Sequence, residues 1–330
     1  MSIVALLGVK DEVELIGLSM AHLRRIGVDR ICVVDYGSTD GTLDIVAAER
    51  RRHGDVSLAH IDPDLVVDYE SSSAHDLALA RATGAEWVLV LDADEFWLPV
   101  SGSLRTCESL WRGDIVVAER YNVALAANRL LMPSVLAPQF YNRLQLMTRH
   151  VPHFRRFVEM HPEEPFITVA PGHKVIGRLT HAAAITPGGH DLTPASPQTR
   201  RIVAPDIVVA HVAFSTWPRF ERKVANIRSE IVRHPALFAG DLAWHWRRWA
   251  GLGDRDLRLE FERQRASAEQ LVHWQQAGYL QTAAEVLHLS APRAWRDAAS
   301  ADFSMATRSW TALRAPLRRL RLPLPSAMRF

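Results

Sequence analysis

The sequence predicts an α/β protein: an open, mainly parallel sheet flanked by helices, with a helical C-terminal region. Three observations carry this. Over residues 1–100, short apolar runs alternate with helical periodicity in the order strand, helix, strand, helix, strand, helix, strand. The runs are almost wholly apolar rather than alternating, which suits strands buried on both faces. Polar clusters at 10–12, 35–42 and 92–95 fall where three of these strands end, and open parallel sheets bind ligands beyond the carboxyl ends of their strands.

Ile3–Val9 reads as the first buried strand. Glu12–Ile26 follows as a helix, with Ile16, Met20 and Leu23 on one face and Gly27 as its stop. Arg30–Val34 is a second strand. It ends in the turn cluster Asp35–Thr42, from which a helix runs to about Arg52. Val56–Ile61 reads as a third strand. Ser73-Ala74-His75-Asp76 has the spacing of a capping box for a helix stopping at Gly84. Glu86–Leu91 is a fourth strand running into Asp92-Ala93-Asp94-Glu95-Phe96-Trp97. Between about 110 and 225 the pattern is irregular, with short strands such as Asp114–Glu119 and Ile207–Ala210. Residues 216–330 read mostly helical. The expected domains are 1–235, divided into a nucleotide-binding part (1–125) and an acceptor and metal-site part (126–235), followed by a helical region over 236–330.

Composition narrows the function class. The 330 residues are 48% hydrophobic and 23% charged, which is globular and excludes a disordered, collagenous or disulfide-scaffold chain. A formal charge of +2 gives no reason to expect a nucleic-acid partner. Three of the 39 basic residues are lysines (Lys10, Lys174, Lys223), a bias that reads as codon composition. Cys32 and Cys107 are too few for a disulfide framework or a four-cysteine zinc site and fit a reducing compartment. Met1–Val9 lacks a cationic flank and does not read as a signal peptide. No uninterrupted apolar run is long enough to span a bilayer. The expected location is cytoplasmic, with membrane-surface contact open: Phe303–Phe330 carries six arginines and no acid, and Leu313, Leu317 and Leu320 are interleaved with Arg314, Arg318 and Arg319. Residues 308–330 can therefore lie on anionic lipid, or pack or fray as an ordinary tail.

Asp92-Ala93-Asp94 is the sharpest motif. Two carboxylates flanking a small residue at a strand end can face one hard cation, Mg²⁺ or Mn²⁺, which bridges to phosphates; the plain alternative is an acidic turn. In the Asp35–Thr42 cluster, Gly37 and Gly41 permit unusual backbone angles and Asp40 can cap the next helix. Asp35 or Asp40 can also meet the base or ribose of a nucleotide.

These motifs resemble a family 2-type glycosyltransferase of the GT-A fold, in the branch whose members carry D-A-D-E-F. The matching segments are I-V-A-L-L-G-V-K-D-E at 3–12, V-D-Y-G-S-T-D-G-T at 34–42, W-V-L-V-L-D-A-D-E-F at 87–96 and V-A-H-V-A-F-S-T-W-P-R-F-E-R-K at 209–223. The likeness is good over 1–100, looser to about 225 and absent beyond. Asp11 stands where relatives often carry Asn, which weakens a role for Lys10, Asp11 or Glu12.

The resemblance implies transfer of a sugar from a nucleotide-diphospho-sugar to a saccharide or lipid-linked glycan acceptor, with inversion as the family expectation. Val9, Glu12, Asp35, Asp40, Asp92 and Lys223 are the implied nucleotide contacts. Asp92, Asp94 and His211 are the implied holders of Mn²⁺ or Mg²⁺, Asp94 directly and Asp92 through the ribose or a metal-bound water. The cation stabilises the charge that develops on the departing diphosphate. His211 can also be read as a satisfied strand-end histidine and Lys223 as a solvated helix residue, and Lys174 sits at another family-like position. An inverting enzyme needs a general base; Glu95 is the candidate, with Glu119, Glu159, Glu163 and Asp191 behind it. His75 reads as structural. His150, His153 and His161 read as an acceptor-side loop rather than a zinc site, and Trp244, Trp246 and Trp249 as packing rather than sugar platforms. The competing functions are a sugar-nucleotide-forming nucleotidyltransferase, which would show a glycine- and lysine-rich first loop, and a non-catalytic sugar- or nucleotide-binding protein on a degenerate core. No G-x-G-x-x-G, P-loop, G-x-S-x-G or H-E-x-x-H occurs.

Overall fold

Alternate residues of the first strand enter two different cores, and this sets the layering of the molecule. The computed structural model describes residues 1–62, 69–127, 129–151, 155–161, 164–238 and 244–288. The elements run β1 (Ile3–Val9), α1 (Ile16–Arg25), β2 (Arg30–Asp35), α2 (Thr42–His53), β3 (Val56–His60), α3 (Tyr69–Ala82), β4 (Trp87–Asp92), β5 (Glu95–Pro99), α4 (Ser109–Arg112), β6 (Ile115–Asn122) and β7 (Gln145–Met147). They continue as α5 (Arg155–Met160), β8 (Lys174–Arg178), β9 (Ala182–Ile185), β10 (Leu192–Pro194), β11 (Arg201–His211), α6 (Trp217–Arg233), α7 (Trp244–Ala250), α8 (Asp254–Arg263), α9 (Ala268–Gln276), β12 (Leu280–Thr282) and α10 (Ala283–Val286).

Eight strands form one open sheet in the order β3-β2-β1-β4-β8-β6-β11-β5. β3, β2, β1 and β4 are mutually parallel, β6 and β11 share their direction, and β8 and β5 run against them. On one face Ile3, Ala5, Leu7 and Val9 pack with Ile16, Met20 and Leu23 of α1. On the other, Val4 and Leu6 pack with Leu77 and Ala80 of α3. Burial on both faces is what the continuous apolar runs required.

Three local expectations change. The first helix begins at Ile16, not Glu12, because Asp11 takes a left-handed backbone (φ 57°) and the intervening residues form a turn. Asp and Asn tolerate that region better than other non-glycine residues. Ser73 is not a cap: α3 already runs from Tyr69, and the Ser73 hydroxyl donates to the Ile185 carbonyl and accepts the Ile185 N–H, tying α3 to β9. The short strand expected at Ile207–Ala210 is the end of the longer β11, whose pairing with β6 shifts register between Val203 and Val208, around Pro205.

The helical segment after α6 shares a core with the sheet-bearing part: Trp249, Leu257, Phe261 and Trp274 pack with Phe214, Phe220 and Met147, and β12 pairs with β7. No helix of the described residues is long and apolar enough to cross a membrane. The arginine-rich stretch 308–330, with Leu313, Leu317 and Leu320, lies outside the described residues.

Candidate functional site

Strand register gathers the site. β1, β2, β4, β6 and β11 all end at one edge of the sheet, where the antiparallel β5 and β8 begin. Gly8 is in register with Asp92, and His211 with both Asn122 and Glu95. The three polar clusters, together with Asn122, Lys174 and His211, therefore meet along one line.

Asp94 is the centre. It is fully buried, and its Oδ2 accepts Arg219 Nη2 at 2.7 Å and Lys223 Nζ at 3.0 Å. Its Oδ1 is buried with no hydrogen-bond partner among the described residues. Although burial raises its pKa, Lys223, Arg219 and His211 hold the carboxyl well below the usual carboxylate range. Arg219 is anchored independently. Its Nε and Nη2 fork onto Glu12 at 2.6 and 2.7 Å, and its Nη1 donates to the Val212 and Ala213 carbonyls.

His211 faces the same carboxylate, its Nε2 lying 3.8 Å from Asp94 Oδ2. Asn122 Nδ2 donates to the Ile167 and Val169 carbonyls, so Asn122 Oδ1 must accept, and it takes the His211 Nδ1–H at 2.8 Å. Burial, reinforced by Arg120, keeps this imidazole well below its ordinary pKa. With its Nδ1–H committed to Asn122, His211 leaves Nε2 as the nitrogen that could meet a metal ion.

Glu95 is equally buried and is consumed internally. Its carboxylate takes Arg120 Nη1, Lys174 Nζ at 2.9 Å and the Asp92 N–H at 3.1 Å. It supports the D-x-D turn from beneath and presents no open face to a substrate. Lys174, buried completely, also reaches the Gly188 and Gly189 carbonyls and stands 3.6 Å from Asp92. Asp92 itself is half exposed, with 52% of its side chain accessible. Among the described residues no three His, Cys, Asp or Glu side chains gather as a metal cluster; of the three expected holders, Asp94 and His211 meet and Asp92 stands outside them. A carboxylate with one oxygen left without a partner among the described residues, and His211 Nε2 3.8 Å from its other oxygen, fit a divalent cation that takes its remaining ligands from phosphates and water.

Asp35 and Asp40 hold the turn rather than face outward. Asp35 is buried and accepts the Gly37 and Ser38 N–H groups and His60 Nδ1. Asp40 takes the Thr42 N–H and hydroxyl, the Val13 N–H and Arg222. Val9 is buried, and its carbonyl accepts the Tyr36 N–H.

One face of α6 closes against these groups. Thr216, the cap of α6, reaches Glu14; Arg219 reaches Glu12; Arg222, Asp40; Lys223, Asp94; Asn226, Asp11; and Glu230, Lys10. The spacing of three and four residues is that of a single helix face. All three lysines of the chain lie at this edge.

The other base candidates are differently placed. Glu119 accepts the Tyr121 hydroxyl, and Asp191 sits in the Arg201 fork at 2.7 Å on both oxygens. Glu163 and His153 lie outside the described residues. His150 stacks on Tyr121. His75 pairs with Asp76. Trp244 and Trp249 are buried packing residues, whereas the partly exposed Trp246 lies beneath Lys223, 5.6 Å from ammonium to ring centroid.

The architecture is GT-A-like. No protein-family model matches the chain, and no curated protein does. Among solved structures it is similar to a mannosyltransferase of Pyrobaculum calidifontis in complex with GDP-mannose and Mn²⁺, at a TM-score of 0.37 and 14% identity, over 94% of this chain and 79% of that one. It is also similar to glucosyl-3-phosphoglycerate synthase of Mycobacterium tuberculosis: a complex with Mn²⁺, UDP and product gives a TM-score of 0.33 at 17% identity over 70% and 79% of the two chains. A UDP complex of that synthase gives 0.28 at 18% over 55% and 58%, so this chain spans little more than half of that structure. These likenesses are loose, and the functional reading below rests on the site.

Arg120, Asn122 and Arg219 escaped the sequence reading. Arg219 lay within the matching segment at 209–223, but Arg120 and Asn122 carried no signal, because their roles arise from strand register.

Proposed function

We propose that the protein is a glycosyltransferase that moves a sugar from a nucleotide-diphospho-sugar, with a UDP, GDP or dTDP nucleotide, to a saccharide or lipid-linked glycan, with inversion and with Mn²⁺ or Mg²⁺. The observation that carries this reading is Asp94: a buried carboxylate with one oxygen unpartnered among the described residues, flanked by His211 and by Lys223, at the carboxyl edge of a mainly parallel sheet. Asp94 and His211 would hold the cation, and Asp92, half exposed at the mouth, would meet the ribose or a metal-bound water. When bound, the cation supplies charge stabilisation to the departing diphosphate.

The chain's own residues do the rest. Arg219 fixes Asp94 from the buried side, and Asn122 fixes the His211 tautomer. Lys223 offers a point charge to phosphate oxygens. Asp35 and Asp40 shape the turn on which the nucleoside lies. Glu95, held by Arg120 and Lys174, positions the D-x-D backbone instead of taking the acceptor proton. The domain reading becomes a transferase core over 1–235 extended by the helical region after it.

The test is thermal stability against UDP, GDP and dTDP with and without Mn²⁺, since a ligand that binds the folded state raises its stability. A Mn²⁺-dependent shift with one nucleotide, lost in Asp94→Ala, is the expected result. Hydrolysis of the matching nucleotide-sugar then separates a transferase from a binding protein. No shift with any nucleotide overturns the reading.

A further inference from the structure

Of the two cations on Asp94, Lys223 is held far more loosely than Arg219. Arg219 is tied to Asp94 and also to Glu12 and two carbonyls, with 2% of its side chain exposed. Lys223 is 30% exposed, and among the described residues its hydrogen-bond partner is Asp94. Its other neighbour is the Trp246 ring, which can receive an ammonium without holding it rigidly.

The residue type is informative too. Three of the 39 basic residues are lysines, and all three lie at this edge: Lys10 on Glu230, Lys174 on Glu95, Lys223 on Asp94. In a chain that otherwise uses arginine, a compact ammonium stands at each of these positions. An ammonium is a point charge with three rotatable donors and suits exchange between partners. A guanidinium fork suits fixed, bidentate attachment, as Arg219 shows.

Without Lys223, Asp94 is left to Arg219, which it shares with Glu12, and an under-compensated buried charge is costly. If Lys223 stayed on Oδ2, its charge would also repel a divalent cation arriving beside His211. We propose that Lys223 is an exchangeable counter-ion: in the free protein its ammonium neutralises Asp94, and when a divalent cation takes over the carboxylate Lys223 turns from Asp94 to the diphosphate of the donor. This inference rests on the function proposed above and adds a prediction that a simple phosphate-binding lysine does not make. Lys223 opposes binding of the metal alone and favours binding of the nucleotide.

The experiment measures Mn²⁺ binding by electron paramagnetic resonance and calorimetry, first without nucleotide and then GDP or UDP binding at saturating Mn²⁺. The proteins are wild type, Lys223→Met, Lys223→Gln and Lys223→Arg. Arg219 still pairs with Asp94 in each, and the two neutral variants guard against a packing artefact of either. Loss of one charge-assisted contact predicts Mn²⁺ alone binding roughly tenfold tighter in the neutral variants, and the diphosphate roughly tenfold weaker. Lys223→Arg should show no gain in Mn²⁺ affinity. If the neutral variants lose diphosphate affinity with Mn²⁺ binding unchanged or weaker, Lys223 is a plain phosphate ligand and the exchange is wrong. If wild type binds neither Mn²⁺ nor nucleotide, the proposed function fails and the exchange falls with it.

Discussion

Replacing Asp94 by Asn tests the centre of the site with the least change of shape. The amide keeps an acceptor for Arg219 but removes the charge that both Arg219 and Lys223 answer. Breaking a buried ion pair from one side costs about 3–5 kcal/mol when the partner is left stranded. Here it is not: Arg219 keeps its two bonds to Glu12, and Lys223 has solvent within reach. Two charge-assisted hydrogen bonds fall to ordinary ones, at about 1 kcal/mol each, with some extra for weaker compensation of Arg219, so the expected loss is about 2–3 kcal/mol. That lowers the melting temperature by roughly 3–5 °C for a domain of this size. Urea unfolding at neutral pH measures the first quantity and calorimetry the second. The same variant should lose the Mn²⁺-dependent stabilisation by nucleoside diphosphate. A protein with wild-type urea midpoint and an intact Mn²⁺ response would refute both the energetic and the functional roles assigned to this carboxylate.

Asn122→Ala should release the His211 ring from its fixed tautomer and weaken Mn²⁺ binding in the presence of nucleotide by about 10–100-fold, measured by calorimetry, with the far-ultraviolet spectrum unchanged. Gly189→Ala should destabilise by about 1–2 kcal/mol in urea, because the backbone there is left-handed (φ 64°) and a Cβ would stand 2.9 Å from Val90 Cγ1. Stability should fall on acidification below the ordinary histidine range. Burial holds His22 at about 3, so the unfolded chain takes up a proton that the folded one refuses as pH drops from 6.5. Its contribution is present above 6.5 and is lost toward pH 3; down to pH 4 the loss is about 3 kcal/mol, and His22→Gln should flatten that limb of the urea-midpoint profile.

The strands that carry the edge were legible because burial on both faces leaves an unbroken apolar run, and β1 begins and ends where that run does. The D-x-D turn was legible for the complementary reason, since charge placed directly after such a run has to emerge at the sheet edge. Partner identity was not legible. Asp94 meets Arg219 and Lys223 across more than a hundred residues of chain, and Asn122 meets His211 only because β6 and β11 are in register there. Glu95 read as a base because it adjoins the motif. A strand alternates its side chains, however, and the first residue of β5 turns into the protein beneath Asp92. Asp35 and Asp40 read as ligand contacts when their first obligation is to the N–H groups of their own turn. The scarcity of lysine read as composition, and only the fold shows that all three lie at one edge.

The charges around Asp94 explain why a buried edge so rich in acids remains compatible with folding. Glu12, Asp94 and Glu95 are buried acids, and Arg219, Arg120 and Lys174 are the buried cations that meet them. Glu12 on Arg219, and Glu95 between Arg120 and Lys174, are internal and complete, so they fix geometry but have no charge to offer a ligand. What remains exchangeable is the outer layer, Asp92 and Lys223, both partly exposed, together with the Asp94 carboxylate that Lys223 and His211 face. A donor that brings a diphosphate and a divalent cation together adds both signs at once. It can therefore enter this layer by exchanging partners with Lys223 and Asp94, leaving no buried charge unpaired. A diphosphate alone would face Asp92 and Asp94, and a cation alone would face Lys223. The arrangement thus favours joint binding of the two over either one singly, and the ratio of Mn²⁺ affinities with and without nucleotide is the quantity in which that coupling shows.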